Sequence, residues 1–323
     1  MQQLFPPQWE TLGLAAPASL PDTDSLARAE VFLQKQGLNV VMGFDNRERD
    51  PLSYLSASPR CRLQHLNSLI RDPRVDAIYC IRGGFGSIHL LEEIDFDSMR
   101  KRNLPLIGYS DITALHMAML RKKAGIPISA CMALKLEEES KTDAVFTESF
   151  RRALALGAAG SRGIKPKSFR TAAGDLLPLN DAARSAGKVE GRLLCGNITV
   201  MSSLCGTEFF PSTAGRIVLL EDVGERTRRL DASFHQLRLN KVFARCKGVV
   251  LGNFQDCGNG KKEELEVMLK RFAALLECPV YNGLHFGHCS GSLAFVQEES
   301  IRLEGGKLFW KIPEKSFFSA ERS

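Results

Sequence analysis

Short apolar runs and helical stripes alternate along the first half of the chain. Thr11–Ala15 is an apolar run that ends at Pro17. Asp22, Asp24 and Ser25 then offer caps to a helix that carries Leu26, Ala29 and Leu33 on one face and stops at Gly37. Leu38–Met42 is a second run, and Leu63, Leu66 and Ile70 mark a second helix. Val75–Ile81 is nearly all apolar, as a strand covered on both faces should be. A short helix around Ile88–Ile94 follows, then a strand over Leu104–Tyr109, a helix from Asp111 and a strand over Ile126–Ala130. Strands alternating with helices predict a parallel, doubly wound sheet.

The pattern breaks over residues 157–187, which are rich in Gly, Ala, Ser, Lys and Arg, hold Pro166 and Pro178, and show no clear period. The expected organisation is an N-terminal domain over 1–156, a linker over 157–187 and a C-terminal domain over 188–323. Beyond the linker come a strand at Ile217–Leu220, a helix with Leu230, Phe234 and Leu237, and a strand at Gly248–Leu251. A helix from about Glu263 to Leu276 and a hairpin of Ile301–Leu303 with Leu308–Ile312 complete a smaller mixed α/β domain.

Composition narrows the function classes. The 323 residues are 44% hydrophobic and 25% charged, ordinary for a globular protein and unlike a disordered or fibrous one. The net charge is +6, and the basic residues are scattered apart from short clusters such as Arg100-Lys101-Arg102. A nucleic-acid binder should show a concentrated basic patch, so none is expected as a partner. The nine cysteines contain no C-x-x-C, which signals neither zinc nor a redox motif. They read as reduced thiols of a cytoplasmic protein. Met1–Gln8 holds no Lys or Arg and no apolar stretch reaches membrane-spanning length, so neither a secretory signal nor a membrane partner is expected.

Three stretches are candidates for chemistry. In the first, an apolar strand runs into Gly108-Tyr109-Ser110-Asp111 and a helix follows at once. A serine at a tight strand-to-helix turn is exposed, with unpartnered first-turn amides behind it, as in a nucleophile elbow. Ile112 stands where G-x-S-x-G needs glycine, and Ser110 or Asp111 would equally serve as a plain helix cap. The second is Arg82-Gly83-Gly84-Phe85-Gly86 directly after the buried strand, a place where open α/β sheets bind ligands. It is either an anion-holding loop or a tight turn with no ligand. The third pairs Glu221-Asp222-Val223-Gly224-Glu225 with His285-Phe286-Gly287-His288. Among the six histidines, His116 falls on an apolar stripe and reads as a core residue, whereas His288 lies between Gly287 and Gly291 in a loop after an apolar run. Together these stretches supply a nucleophile, an acid and a base in the order Ser, Glu, His.

In this order the motifs resemble the LD-carboxypeptidase and microcin-immunity family of serine peptidases. Leu14–Ala18 and Gly206-Thr207 add to the match, which runs from about residue 12 to about 295. The resemblance implies a flavodoxin-like, parallel-sheet N-terminal domain and a smaller mixed α/β, swivelling-type C-terminal domain. It implies Ser110 as nucleophile, Glu221 as acidic member and His288 as base, with no metal or other cofactor. The Asp111 amide and one from Gly83-Gly84 would form the oxyanion hole, with Arg82 an option for gripping the leaving carboxylate. The implied activity is removal of the terminal D-Ala from murein tetrapeptides in the cytoplasm, by a homodimer. Two departures stand out: Cys195-Gly196-Asn197 where the family has Gly-Gly-Asn, and Ser292–Gln297 where a Leu-Pro-Leu-Gly-like strand is usual.

Two other functions fit the same residues less well. The microcin-immunity branch hydrolyses acyl-sulfamoyl or acyl-phosphoramidate adenylates and needs an aromatic platform for adenine. Residues 157–192 hold a single aromatic, Phe169. A non-catalytic module holding an anion on Arg82-Gly83-Gly84 would leave the Ser, Glu and His set without a purpose.

Overall fold

The computed structural model describes residues 3–20, 22–45, 50–141, 143–162, 168–173 and 175–312. The chain divides into two compact units, Met1–Pro166 with Ala294–Val296, and Lys167–Leu293 with Gln297–Ile312.

The first unit alternates strand and helix: β1 (Thr11–Ala15), α1 (Thr23–Lys35), β2 (Asn39–Gly43), α2 (Pro59–Arg71), β3 (Ala77–Cys80) and α3 (Phe96–Arg102). It continues with β4 (Pro105–Gly108), α4 (Thr113–Lys122), β5 (Ile126–Ser129), α5 (Leu136–Glu139) and α6 (Ala144–Arg162). The five strands are parallel and lie in the order β2-β1-β3-β4-β5, the flavodoxin-like winding, which reverses between β1 and β3. Side chains alternate across the sheet. Leu12 and Leu14 join α1 and α6 in one core with Phe146 and Phe150. Gly13, between them, faces the other way, where a Cβ would lie 3.0 Å from Leu69 of α2.

The end of α6 explains why the pattern fails after residue 156. Gly157 and Gly160 sit where a Cβ would press on Ile128 and Ile126 at 2.5 and 2.9 Å, so glycine here lets a helix settle closely on β5. Of the expected linker, residues 157–162 belong to α6, while 163–167 and 174 lie outside the described residues.

The rest of that segment holds β6 (Ser168–Ala173), β7 (Leu177–Pro178) and α7 (Asp181–Ser185). Next come β8 (Lys188–Asn197), α8 (Ile198–Ser203), β9 (Arg216–Val223), α9 (Thr227–Leu239), β10 (Gly248–Gln255), α10 (Lys262–Ala274) and β11 (Val280–Asn282). The chain then enters the first unit as β12 (Phe295–Val296), antiparallel to β5, and closes with the hairpin β13 (Ser300–Glu304) and β14 (Lys307–Ile312). The second sheet is mixed, in the order β6-β14-β13-β8-β9-β10-β11-β7, with β8 to β11 parallel at its centre. The expected α/β class holds for both units. No described helix is long and apolar enough to cross a membrane.

Candidate active site

In the first unit the candidate residues gather beyond the C-terminal ends of β3 and β4. Ser110 has φ 61°, left-handed backbone that costs a non-glycine residue on the order of 1–2 kcal/mol. It opens a single 3-10 turn, Ser110–Ile112, that leads into α4. Gly108 permits the bend, since a Cβ there would lie 3.0 Å from Ile112 and 3.2 Å from Cys80 Cβ. Neither the turn nor α4 has a side-chain cap, so the plain capping role open to Ser110 and Asp111 is not taken. Asp111 instead turns its buried carboxylate to the glycine loop, where Oδ2 accepts from Ser87 N at 2.8 Å. Burial pushes its pKa up, and the Ser87 and Gly86 amides draw it back.

The glycine loop is pressed against the serine. A Cβ on Gly83 would lie 3.0 Å from Ser110 Cβ and 3.1 Å from its Oγ. The Gly83 carbonyl accepts from Ser19 N at 3.2 Å, which points the Gly84 N–H of the same trans peptide the opposite way. Gly84 itself has φ 111°, and a Cβ there would collide with Ser19 Oγ at 2.1 Å. Arg82, beside them, is exposed.

Arg62 of α2, 2% exposed, braces the loops around the candidate site, a role the sequence reading did not assign. Its guanidinium donates to the carbonyls of Ala57 at 2.9 Å, Gly86 at 2.9 Å and Pro17, and meets His89 Nδ1 at 3.1 Å. One fork thus joins the loop after β1, the loop before α2 and the glycine loop after β3. A signal existed: Arg62 lies four residues before Leu66 on the helix's buried stripe.

In the second unit β9 carries Glu221, 1% exposed, near its C-terminal end. His288 Nδ1–H donates to Glu221 Oε2 at 2.7 Å. Burial raises the Glu221 pKa, the bond from His288 lowers it and the neighbouring Asp222 raises it again. With its Nδ1 proton held by the carboxylate, the neutral imidazole has its lone pair on Nε2, the tautomer a general base needs. Gly287, at φ 123°, makes the approach possible, because a Cβ there would lie 2.8 Å from both Glu221 Cβ and Oε2. The loop is anchored from both sides. Ser292 Oγ accepts from Gly287 N at 2.9 Å, and Phe286 O accepts from Asn253 N at 2.7 Å. Asn253 lies where the β9–β10 register shifts between Leu251 and Phe254. The irregularity turns a ladder donor toward the histidine loop.

The other acidic residues of the strand end have different partners. Asp222 accepts from Asn197 Nδ2 at 3.0 Å, Thr199 N at 3.1 Å, Thr199 Oγ1 at 2.6 Å and Val223 N at 2.8 Å. It fastens the start of α8 to β9, while Glu225 lies beyond the strand. His285 bonds the Ser290 carbonyl at 2.7 Å, and buried His116 bonds the Leu106 carbonyl at 3.2 Å, the core role its stripe predicts. Cys195 is fully buried and its backbone is paired both ways by the Gln297 amide, at 2.9 and 2.6 Å. The departure after His288 thus supplies that amide. Among the described residues no three His, Cys, Asp or Glu side chains cluster as a metal would require.

Comparison with known proteins matches both units. Residues 12–129 match the model of the LD-carboxypeptidase N-terminal domain, and residues 190–303 that of the C-terminal domain. The chain is 31% identical to the murein tetrapeptide carboxypeptidase of Pseudomonas aeruginosa over 312 residues, 93% of this chain and 94% of that one. It is 28% identical to the microcin C7 self-immunity protein MccF of Escherichia coli, over 86% of each chain. A solved structure, the muramoyltetrapeptide carboxypeptidase of Oxalobacter formigenes, superposes with a TM-score of 0.77 at 23% identity, covering 94% of this chain and 99% of that one.

Proposed function

The chain belongs to the LD-carboxypeptidase family, and from that premise we propose that it removes the C-terminal D-Ala of murein tetrapeptides through a serine acyl-enzyme. The observation that carries this reading is the 2.7 Å bond between His288 and buried Glu221, an oriented base that a binding module has no use for. In this reading Ser110 is the nucleophile and His288 the base that takes its proton and returns it to the leaving amine. Glu221 holds the imidazole tautomer and stabilises the imidazolium. The amides of Asp111 and of Gly84, on the loop pressed against Ser110, are the oxyanion donors, each worth roughly 3–4 kcal/mol. Arg82, exposed beside them, is assigned to the leaving carboxylate. Nine free cysteines among the described residues fit work in a reducing cytoplasm, and the family resemblance suggests a homodimer.

The test is D-Ala release from L-Ala-γ-D-Glu-meso-diaminopimelate-D-Ala. Wild type is expected to release it, and Ser110→Ala to lose at least ~10³-fold in kcat while keeping the wild-type circular dichroism. A folded wild type that releases nothing rejects the reading. The likeness to the self-immunity protein, which has been solved with aspartyl sulfamoyl adenosine, supports a second reading, hydrolysis of aminoacyl-sulfamoyl adenosine. The same preparation tests it, and turnover there with none on the tetrapeptide would replace the first reading.

A further inference from the structure

The second unit holds a pair of thiols that the proposed reaction does not use. Cys246 Sγ lies 3.4 Å from Cys278 Sγ and 3.3 Å from the Phe243 carbonyl, the two acceptors within reach of its single S–H. The two residues are 32 apart in sequence, and each precedes a central strand by two residues: Cys246 before β10, Cys278 before β11. Both frames are pinned. The Arg245 carbonyl accepts from Gly215 N at 2.9 Å, and Lys247 N donates to Arg216 O at 2.7 Å. The Cys278 carbonyl accepts from Asn180 Nδ2 at 3.0 Å, and the Pro279 carbonyl from Val249 N at 2.8 Å. The fold has already brought the sulfurs to 3.4 Å, and a bond needs about 1.4 Å of further approach.

We propose that Cys246 and Cys278 form an oxidation site that closes into a reversible intramolecular disulfide when the protein meets hydrogen peroxide. The pair is asymmetric in the way such a reaction requires. Cys278 is partly exposed and Cys246 buried. The Cys246 thiol donates to the Cys278 sulfur and holds its pKa down, while Cys246 is pushed up by that bond and by burial. The Cys278 thiolate attacks peroxide, the O–O bond breaks, and hydroxide leaves as the sulfur becomes a sulfenic acid. Cys246 then attacks that sulfur, its proton leaves with the departing hydroxide as water, and the S–S bond forms. Two thiols and one peroxide become one disulfide and two waters. The bond ties the entries of β10 and β11, at the ends of these parallel strands away from Glu221 and His288. Its effect is on the endurance of the second unit under oxidation, and thiol reductants reverse it.

Intact-mass and peptide mapping of the full chain after hydrogen peroxide, with remaining thiols alkylated under denaturing conditions, tests this without reference to any activity. The expected result is a chain lighter by two hydrogens, a single peptide pair joined through Cys246 and Cys278, and recovery of both thiols with dithiothreitol. Cys246→Ser and Cys278→Ser should each abolish the link, and Cys246→Ser should leave Cys278 to over-oxidise. The linked protein should melt roughly 5 °C or more above the reduced form. Both thiols still free at a peroxide dose that oxidises another cysteine, Cys278 carried to sulfinic acid in the wild type, or a linked protein that melts lower would each overturn the proposal.

Discussion

Single residues set the tolerances of the candidate site. Gly287 is the narrowest, because an added methyl would stand 2.8 Å from the Glu221 carboxylate on a backbone already in the left-handed region. Gly287→Ala is expected to displace the carboxylate from His288 and to lower kcat/KM by ~10²-fold or more. Unfolding in urea should show a loss of about 2 kcal/mol. His116 makes the opposite kind of statement. Burial holds its pKa down at about 4, against 6.5 for an exposed imidazole, so the unfolded chain takes up a proton that the folded one refuses. Its contribution is complete above the ordinary value and is lost as pH falls from about 6.5 through about 4, ~3 kcal/mol in all. His116→Gln, which keeps a donor for the Leu106 carbonyl, should flatten that acid limb in urea titrations repeated between pH 7 and 4. An unchanged pH dependence would contradict a neutral buried imidazole.

Elements act here through the loops they hold. The fork of Arg62 ties three loops together, and removing it strands buried carbonyls at Pro17, Ala57 and Gly86. Arg62→Met is expected to cost ~2–4 kcal/mol in urea unfolding, and Arg62→Lys nearly as much, since an ammonium cannot reach all three acceptors at once. The same helix shows where the sequence stops being informative. Its apolar stripe was legible, but a lone arginine among Arg60, Arg71 and other polar positions reads as solvent-facing until the loops it bonds are in place. Glycines misled differently. Gly157 and Gly160 have the look of a linker, yet they are the contact surface of α6 on β5. Helix α3 (Phe96–Arg102), with only Met99 buried, leaves too short a stripe to detect. Ser110, Glu221 and His288 could be singled out beforehand because each combines a chemistry-bearing side chain with a strand end or a glycine-flanked loop. What the pattern left open was which carboxylate serves His288, and four donors already satisfy Asp222.

At the scale of the whole molecule the two units are interleaved along the chain. The last thirty residues supply β12 to the first sheet and the hairpin β13–β14 to the second, where it lies between β6 and β8. A chain ending at Leu293 should therefore lose cooperative folding in both units. A single sharp melting transition from that truncated chain would argue against the interleaving. The same feature matters while the protein is being made. The first five strands leave the ribosome together, but β12 follows on the order of ten seconds later at usual elongation rates. Until then the outer edge of β5 has no partner. Ile126 and Ala130 direct their N–H groups to the β4 side, at the carbonyls of Leu104, just before β4, and Gly108, so alternation aims the nitrogen of Pro127 outward. That nitrogen carries no hydrogen, and a neighbouring nascent chain seeking a strand to extend meets a missing donor in the middle of the exposed edge.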